Sequence, residues 1–163
     1  MNIINIIKFI GTKRPQYQWD KIKNKLPEYP VDDENCMDDK GKQGAWVSYD
    51  ENGQLKNKMT YVNDKLDGLY ERFNEDGELF FKCTYKDGLK DGLDEYYYNN
   101  DQLFFKSTYK DGLKNGPHES YYENGQLHFK GNYVNGKEDG VWVKYNKNGE
   151  LESKKNYEHN KHN

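Results

Sequence analysis

The sequence predicts an all-β fold, an elongated antiparallel meander of about ten strands built from five β-hairpins. The first observation behind this prediction is a 24-residue unit that occurs five times without insertion between residues 41 and 160. The second is that every unit carries an aromatic residue at its ninth position and a leucine at its fifteenth. The third is an Asn-Gly or Asp-Gly pair between those positions in four of the units, which is a strong hairpin signal. A fixed period of this length indicates a stack of one supersecondary unit.

Residues 1–40 precede the repeats and differ from them, since all six isoleucines of the chain lie at or before Ile22. The apolar opening lacks a basic start and a small-residue cleavage site, and it is far shorter than the ~20 residues that cross a bilayer. A repeat array has to cover its terminal apolar face. We therefore predict that residues 1–40 form a cap and an acidic linker, with an amphipathic membrane anchor as the alternative.

Two short helices are the elements expected in this cap. Asn2, Asn5 and Lys8 recur at spacing three, as in a helix with one polar stripe, although the surrounding isoleucines favour a strand. A second helix around Trp19 has to end before Pro27, because a residue that precedes proline disfavours helical geometry. The cap is thus predicted to be partly helical.

The turn inside each hairpin decides which side chains share a face of the sheet. A two-residue turn would place positions 9 and 15 on opposite faces, whereas a three-residue turn with a glycine bulge would place them opposite each other on one face. We favour the second, because it gathers positions 5, 9, 15, 17 and 21 into one apolar layer. In the second repeat these are Leu69, Phe73, Leu79, Phe81 and Tyr85.

A second turn has to join each hairpin to the next. Asp/Asn-Gly pairs such as Asp87-Gly88 and Asp91-Gly92 are predicted to supply it. The third repeat lacks the hairpin glycine and has Asn100-Asp101 instead. An Asp tolerates the left-handed conformation, so the hairpin is expected there too.

The opposite face is predicted to hold positions 6, 8, 10, 16, 18 and 20. In this register position 6 faces the lysine at position 18. That predicts cation–π pairs Trp46–Lys58 and Trp142–Lys154 and a surface ion pair Asp94–Lys106.

The chain shows no pattern that indicates chemistry. A net charge of -3 gives no basic field of the kind that nucleic-acid binding needs, and two cysteines are too few for a disulfide framework. His118 and His128 lack the further ligands of a metal site. Glu71, Glu95 and Glu119 sit in equivalent repeat positions, whereas a catalytic carboxylate pair needs two different environments. We predict a protein without catalytic activity, metal or cofactor.

A recognition surface is the remaining prediction. Positions that differ between the repeats on one face are free to be specific, and clustered aromatics with a few charges serve as anchors in protein interfaces. The alternative is that another layer, such as residues 1–30, covers these side chains. The predicted binding residues are Trp46, Tyr70, Phe80, Asp94, Tyr96, Tyr98, Phe104, His118, Tyr122 and Trp142.

The fourth repeat carries a family resemblance. The run Tyr-Tyr-Glu-Asn-Gly-Gln-Leu at 121–127, followed by Lys-Gly-Asn-Tyr-Val-Asn-Gly-Lys-Glu-Asp-Gly at 130–140, resembles the bacterial variant of the MORN repeat, which makes up the YwqK-like antitoxin family. The resemblance covers residues 41–160 and leaves 161–163 as a tail. It implies a cytoplasmic protein-binding module that captures a partner protein, such as a toxin, by steric blocking. A membrane-surface or protein-assembly scaffold is the alternative that the resemblance also implies.

Overall fold

The computed structural model describes residues 36–158, and these form an all-β unit, as predicted. Twelve strands are present in this range. They are β1 (Cys36–Asp38), β2 (Gly41–Tyr49), β3 (Leu55–Val62), β4 (Lys65–Leu66), β5 (Gly68–Phe73), β6 (Leu79–Lys86), β7 (Leu89–Tyr97), β8 (Leu103–Lys110), β9 (Leu113–Tyr121), β10 (Leu127–Val134), β11 (Lys137–Tyr145) and β12 (Leu151–Tyr157).

The strands follow one another across a single antiparallel sheet in the order β1-β2-β3-β5-β6-β7-β8-β9-β10-β11-β12, and the short β4 pairs with β3. Apart from the short β4, every neighbour in space is thus a neighbour in sequence, which is the meander that the repeats predict. The count exceeds ten because the second repeat begins with a separate short strand, β4, and because β1 precedes the repeats.

The N-terminal boundary differs from the prediction at one point. β1 lies inside the predicted acidic linker and pairs with the first residues of β2, from Cys36 opposite Gln43 to Asp38 opposite Gly41. The remaining predictions for the cap and linker concern residues 1–35 and lie outside the described residues, as does the tail at 161–163. Among residues 36–158 no helix has the length and apolar character needed to span a membrane.

The hairpin turn has the predicted three-residue form. In the first repeat the amide of Asp50 donates to the Gln54 carbonyl (2.9 Å), and the amide of Gly53 donates back to the Asp50 carbonyl (3.1 Å). The Asp50 carboxylate then accepts the amides of Asn52 and Gln54 at 2.8 and 2.9 Å. Positions 9 and 15 are cross-strand partners in every hairpin, as Tyr49 and Leu55 are here. Asp101 takes the glycine position of the third repeat with φ 60°, in the left-handed region.

A second bulge, which the sequence analysis missed, changes the faces of the sheet. The register shifts next to the 9–15 pair, so that position 8 pairs with position 17 and position 16 is left over, as in Arg72 opposite Phe81 beside Phe73 opposite Leu79. One extra residue on a strand reverses the facing of every side chain beyond it. Positions 17 and 21 therefore share a face with positions 6 and 8, not with positions 5 and 9 as predicted. Position 19 lies on the same face as positions 17 and 21.

The connections between repeats are two-residue turns with positive φ at both residues, such as Asp87 (50°) and Gly88 (85°). This is the geometry that matches the twist of paired strands. The prediction is correct for Asp87-Gly88 but wrong for Asp91-Gly92, which lies inside β7. There Gly92 has φ 122°, and an added Cβ would lie 3.1 Å from the Cβ of Thr84.

The two faces of the sheet have different chemistry. The first, which we call the aromatic face, carries positions 6, 8, 17, 19 and 21. The bulged position 16 lies on the same side, where the Phe80 and Tyr96 ring centroids are 5.9 Å apart. The fully buried side chains among the described residues, those of Cys83, Asp94 and Ser107, all belong to the aromatic face. The second, the ladder face, carries positions 5, 7, 9, 15, 18 and 20 and leaves Leu69 and Leu93 exposed. The predicted apolar layer is therefore divided between the faces. Most of the thin core lies on the aromatic face, and buried Val143 lies on the ladder face.

Candidate functional site

A single row of side chains from positions 6 and 19 runs across the aromatic face. Between Tyr70 and Trp142 the residues at position 19 are small, namely Cys83, Ser107 and Gly131. Trp142 lies against Gly131, where an added Cβ would come within 2.1 Å of the indole ring. Its indole nitrogen donates to the Asn132 carbonyl at 3.2 Å. His118 lies opposite Ser107, and Tyr70 lies opposite Cys83. These complementary volumes let a single sheet bury the side chains of Cys83, Asp94 and Ser107.

The centre of this row is polar and buried. The Asp94 carboxylate is withdrawn from solvent and receives the Lys90 ammonium at 2.9 Å. Lys90 Nζ also lies 5.2 Å from the Phe81 ring centroid and 4.9 Å from that of Tyr109. Burial is the largest single influence on Lys90 and opposes its charge. The hydrogen bond to Asp94 and the attraction of that carboxylate together outweigh burial and raise the pKa of the ammonium. Burial raises the pKa of the Cys83 thiol to about 12, and the Asp94 carboxylate adds to the shift.

His118 continues the polar centre toward the C-terminal repeats. Its Nδ1 lies 2.6 Å from the hydroxyl oxygen of buried Ser107. The ring is enclosed by Phe105, Tyr133 and Trp142, with centroids 5.7–6.0 Å away. Burial, with a contribution from nearby Lys114, lowers the pKa of His118 to about 4, so the imidazole is neutral at physiological pH.

An open notch of about 290 Å³ lies beside this centre. Rings form most of its wall: Tyr96 lies 4.5 Å from Phe81 and 5.9 Å from Phe80 between centroids, and Tyr70 lies 5.5 Å from Phe81. We call this site the aromatic notch. Its lining comprises Tyr70, Arg72, Phe80, Phe81, Tyr85, Lys90 and Tyr96.

The hairpin ends of the third and fourth repeats form a second aromatic strip. The Tyr98 and Tyr122 hydroxyls donate to the backbone carbonyls of Tyr121 (2.9 Å) and Tyr145 (3.0 Å), each one repeat further along. Phe104 lies against Tyr98, with centroids 4.9 Å apart. These tyrosines therefore join adjacent repeats while one side of the strip faces solvent.

The structure brings some of the predicted binding residues together and separates others. Tyr70, Phe80 and Tyr96 meet in the aromatic notch, and Tyr98, Phe104 and Tyr122 line the hairpin ends. Asp94 is buried beneath Lys90, so its carboxylate is not offered to a partner. His118 and Trp142 pack on each other at 5.7 Å, and Trp46 packs on Tyr61 at 5.9 Å.

Two cations of the notch were missed by the sequence analysis. Arg72 occupies position 8 of its repeat and is the one arginine between residues 36 and 158, which is a signal that the sequence does contain. Lys90 belongs to the following repeat and reaches the notch because it pairs with Tyr85. Only the register of the sheet brings it there.

The lysines at position 18 lie on the ladder face, so the three predicted pairs with position 6 do not form as predicted. Lys58 is opposite Val47, and Lys42 takes its place over the Trp46 ring at 4.7 Å. Lys154 is likewise opposite Val143, on the other side of the sheet from Trp142.

Instead, lysines and glutamates alternate across the ladder face. Lys106 bonds Glu119 at 2.8 Å, not Asp94, and Lys82 bonds Glu95 at 2.7 Å. The Lys106 bond, followed by the Tyr121 hydroxyl bond at 2.6 Å, lowers the pKa of Glu119. Within residues 36–158 no group of three or more His, Cys, Asp or Glu side chains is arranged to hold a metal ion.

Comparison with known proteins identifies the repeat. A model described as "MORN repeat variant" matches residues 42–63, 66–87, 90–111, 114–135 and 138–159. The chain belongs to the MORN repeat variant family. Each matched segment covers one repeat of the meander, so the family resemblance in the sequence is confirmed at the level of the repeat. The YwqK-like antitoxin subgroup is not identified by this match.

No curated protein matches this MORN repeat chain. Among solved structures it is similar to a crystal structure of TarM, with 12% identity and a TM-score of 0.40, over 79% of this chain and 24% of that one. A mutant of S. aureus TarM in complex with fondaparinux, alpha-GlcNAc-glycerol and UDP gives 11% identity and a TM-score of 0.41, over 80% and 24%. The MORN repeat chain thus spans about a quarter of the length of these proteins.

Proposed function

We propose that this MORN repeat chain is a non-catalytic binding module that holds a partner protein against its aromatic face. The observation that carries the proposal is the exposure of large rings on that face: Phe80 and Phe104 are 39% and 42% exposed, beside the half-buried Tyr96 and Tyr98. Exposed aromatics with an arginine nearby are the residues that most often anchor protein interfaces.

The finer proposal is an antitoxin or immunity-type protein of the cytoplasm, which neutralises a toxin by covering its working surface. Steric capture needs a rigid, preformed surface and no chemistry of its own. The hairpin ends offer such rigidity, because the Tyr98 and Tyr122 hydroxyls tie each repeat to the next. Support for the antitoxin role itself comes from the resemblance of the fourth repeat to the YwqK-like family.

The test compares the two faces of the sheet with matched variants. The tagged full chain is used to capture proteins from the host lysate, and stoichiometry is measured by mass spectrometry. Phe80→Ala with Phe104→Ala should abolish capture of a dominant partner. Leu69→Ala with Leu93→Ala removes side chains of similar exposure (45% and 43%) from the ladder face and should leave capture intact.

If capture were lost only in the Leu69→Ala, Leu93→Ala variant, the ladder face would be the binding surface and the proposal would be contradicted. For the antitoxin role, expression of the captured partner should arrest growth of the host, and co-expression of this chain should relieve the arrest. A partner without toxicity would refute that role and leave the binding module intact. Flotation of the full chain with anionic vesicles, without any dominant protein partner, would favour the membrane-surface scaffold instead.

A further inference from the structure

The aromatic notch contains a cation that no residue between 36 and 158 neutralises. Among the described residues, no hydrogen bond or ion pair engages the guanidinium of Arg72. Lys90, the other cation that lines the notch, differs in this respect, since it is bonded to Asp94 at 2.9 Å. A guanidinium beside rings is weakly hydrated and presents a planar set of donors. It is therefore the group of the notch with unused bonding capacity.

The charge of the notch indicates a single negative charge on the occupant. Lys90 and Asp94 cancel each other, which leaves Arg72 as a net charge of one unit. The Lys90 ammonium also lies between the Phe81 and Tyr109 rings. It therefore has little freedom to move toward a second negative charge on the occupant. A carboxylate satisfies this balance, whereas a phosphate dianion would retain an unpaired charge in an aromatic surrounding.

The size and the wall of the notch indicate what accompanies the carboxylate. About 290 Å³ is far more than a carboxylate alone requires, and the walls are formed by Phe80, Phe81 and Tyr96. Methylene groups and a neighbouring apolar side chain would fill this space and remove apolar surface from water. A free inorganic anion would leave it hydrated.

We propose that the aromatic notch binds an Asp or Glu side chain of the partner protein, together with an adjacent apolar residue. The carboxylate accepts two parallel hydrogen bonds from the Arg72 guanidinium, and the apolar residue packs on Phe80 and Tyr96. This assigns a chemistry to the partner and rests on the proposed function, but the binding of an acidic peptide can be measured without knowing that partner.

The experiment uses the chain's small number of arginines. The full ¹⁵N-labelled chain contains two, Arg14 and Arg72, so its Nε–Hε region holds two signals, and Arg72→Lys identifies the one from Arg72. The probes are N-acetyl-Glu-Phe-amide and N-acetyl-Gln-Phe-amide, which differ in charge and have nearly the same shape. The Glu peptide should shift the Arg72 signal saturably, and the Gln peptide should bind at least tenfold more weakly.

Three variants separate the parts of the proposal. Arg72→Lys keeps the charge but not the two parallel donors, so binding of the Glu peptide, followed by the backbone amides of the notch, should weaken at least fivefold. Phe80→Ala should weaken it while the Arg72 signal still moves. Lys86→Ala, at the exposed end of β6, should change nothing. The amide spectra report whether each variant is folded.

The proposal is overturned if the Glu peptide leaves the Arg72 signal in place or if both peptides shift it equally. It is also overturned if inorganic phosphate binds more tightly than the Glu peptide, because the notch would then be a phosphate site. These outcomes concern the notch alone. A chain that binds the Glu peptide but captures no protein would instead contradict the proposed function.

Discussion

At the scale of single residues, the aromatic face depends on small side chains placed where large ones need room. Gly131 shows this most sharply, since its backbone has no unusual torsion and only the Trp142 ring excludes a side chain there. Overpacking of a filled site costs about 1–3 kcal/mol. The same reasoning explains why position 19 contains such different residues as Met59, Cys83, Ser107 and Gly131.

Gly131→Ala is expected to lower the free energy of unfolding by about 2–3 kcal/mol, because the Trp142 ring has to move. Gly77→Ala is the control: it introduces strain at φ 83° but meets no atom within 4 Å, so about 1 kcal/mol is expected. Urea unfolding followed by tryptophan fluorescence measures both. Equal losses of unfolding free energy in the two variants would show that Trp142 does not occupy the space beside Gly131. Trp142→Ala added to Gly131→Ala should cost less than the sum of the two changes.

His118 predicts a pH dependence of stability. Its pKa is about 4 in the folded chain and 6.5 when unperturbed, so between these values the unfolded chain binds a proton that the folded chain does not. The free energy of unfolding should therefore fall as pH drops from 6.5 toward 4, with a slope below about 1 kcal/mol per pH unit, because solvent screens the partly exposed ring. Urea midpoints at several pH values measure the slope.

His118→Asn should remove most of this slope between pH 5 and 7. Carboxylates such as Glu119, whose pKa is lowered, act at still lower pH and do not interfere in that range. His128→Asn is the control, since the pKa of His128 is also lowered by burial but its ring lies near the sheet surface. A slope that vanishes with His128→Asn and persists with His118→Asn would contradict the assignment.

At the scale of the hairpin, the sequence predicted the turn and missed the bulge beside it. The turn has a chemical signature, a glycine or Asp at a left-handed position, and this signature placed positions 9 and 15 opposite each other correctly. The bulged position 16 has none: it holds Lys56, Phe80, Phe104, His128 and Glu152 in the five repeats. The location of the bulge depends on how whole strands pair, and no residue type at position 16 indicates it.

This bulge also explains which parts of the site could be predicted. The grouping of Tyr70, Phe80 and Tyr96 was predicted correctly, because positions 6 and 8 lie on one face in either register. Tyr70 is on β5 and Tyr96 on β7, and Phe80 is on β6, the strand between them. The place of Lys90 could not be read from the sequence, since it depends on pairing with Tyr85 across the repeat boundary. Asp91-Gly92 shows the same limit: the dipeptide of a turn occurs inside a strand.

The turn of the third repeat predicts a stabilising substitution. Asp101 has φ 60°, where a residue with a Cβ is strained and glycine is not. Asp101→Gly should raise the free energy of unfolding by about 0.5–1 kcal/mol, as measured by urea unfolding. The reverse change in the equivalent turn, Gly125→Asp, should lower it by a similar amount. A loss of stability with Asp101→Gly would mean that the Asp side chain contributes more than the strain costs.

At the scale of the whole unit, each repeat contacts its neighbours through the same pairs of positions. The connecting turns repeat the pattern, since the Gly88, Gly112 and Gly136 amides donate to the carbonyls of Leu66, Lys90 and Lys114 at 2.8–2.9 Å. Stability in such an array is close to a sum of repeat and nearest-neighbour terms. The number of repeats is then a variable that can change without altering the register.

Deletion of residues 89–112, one full repeat, should leave a folded protein. β6 would then pair with β9 in the existing pattern, with Cys83 opposite His118 and Lys82 opposite Glu119. Urea unfolding should remain cooperative with a smaller m-value, because less surface is exposed on unfolding. Deletion of residues 89–111 is the control. It removes one residue fewer and disturbs the register, so it should be clearly less stable; equal stabilities would contradict the role of the 24-residue period.

The reactivity of the buried Cys83 thiol can measure how often this array of strands opens. With no solvent exposure and a pKa of about 12, the sulfur has almost no thiolate to offer a reagent while the sheet is closed. In a chain with Cys36 replaced by serine, alkylation of Cys83 therefore records how often β6 separates from β5 or β7, the strands that pair with it on either side. A ligand bound to the aromatic face would slow the alkylation of Cys83. The alkylation rate would therefore measure ligand binding at the surface through a thiol buried below it.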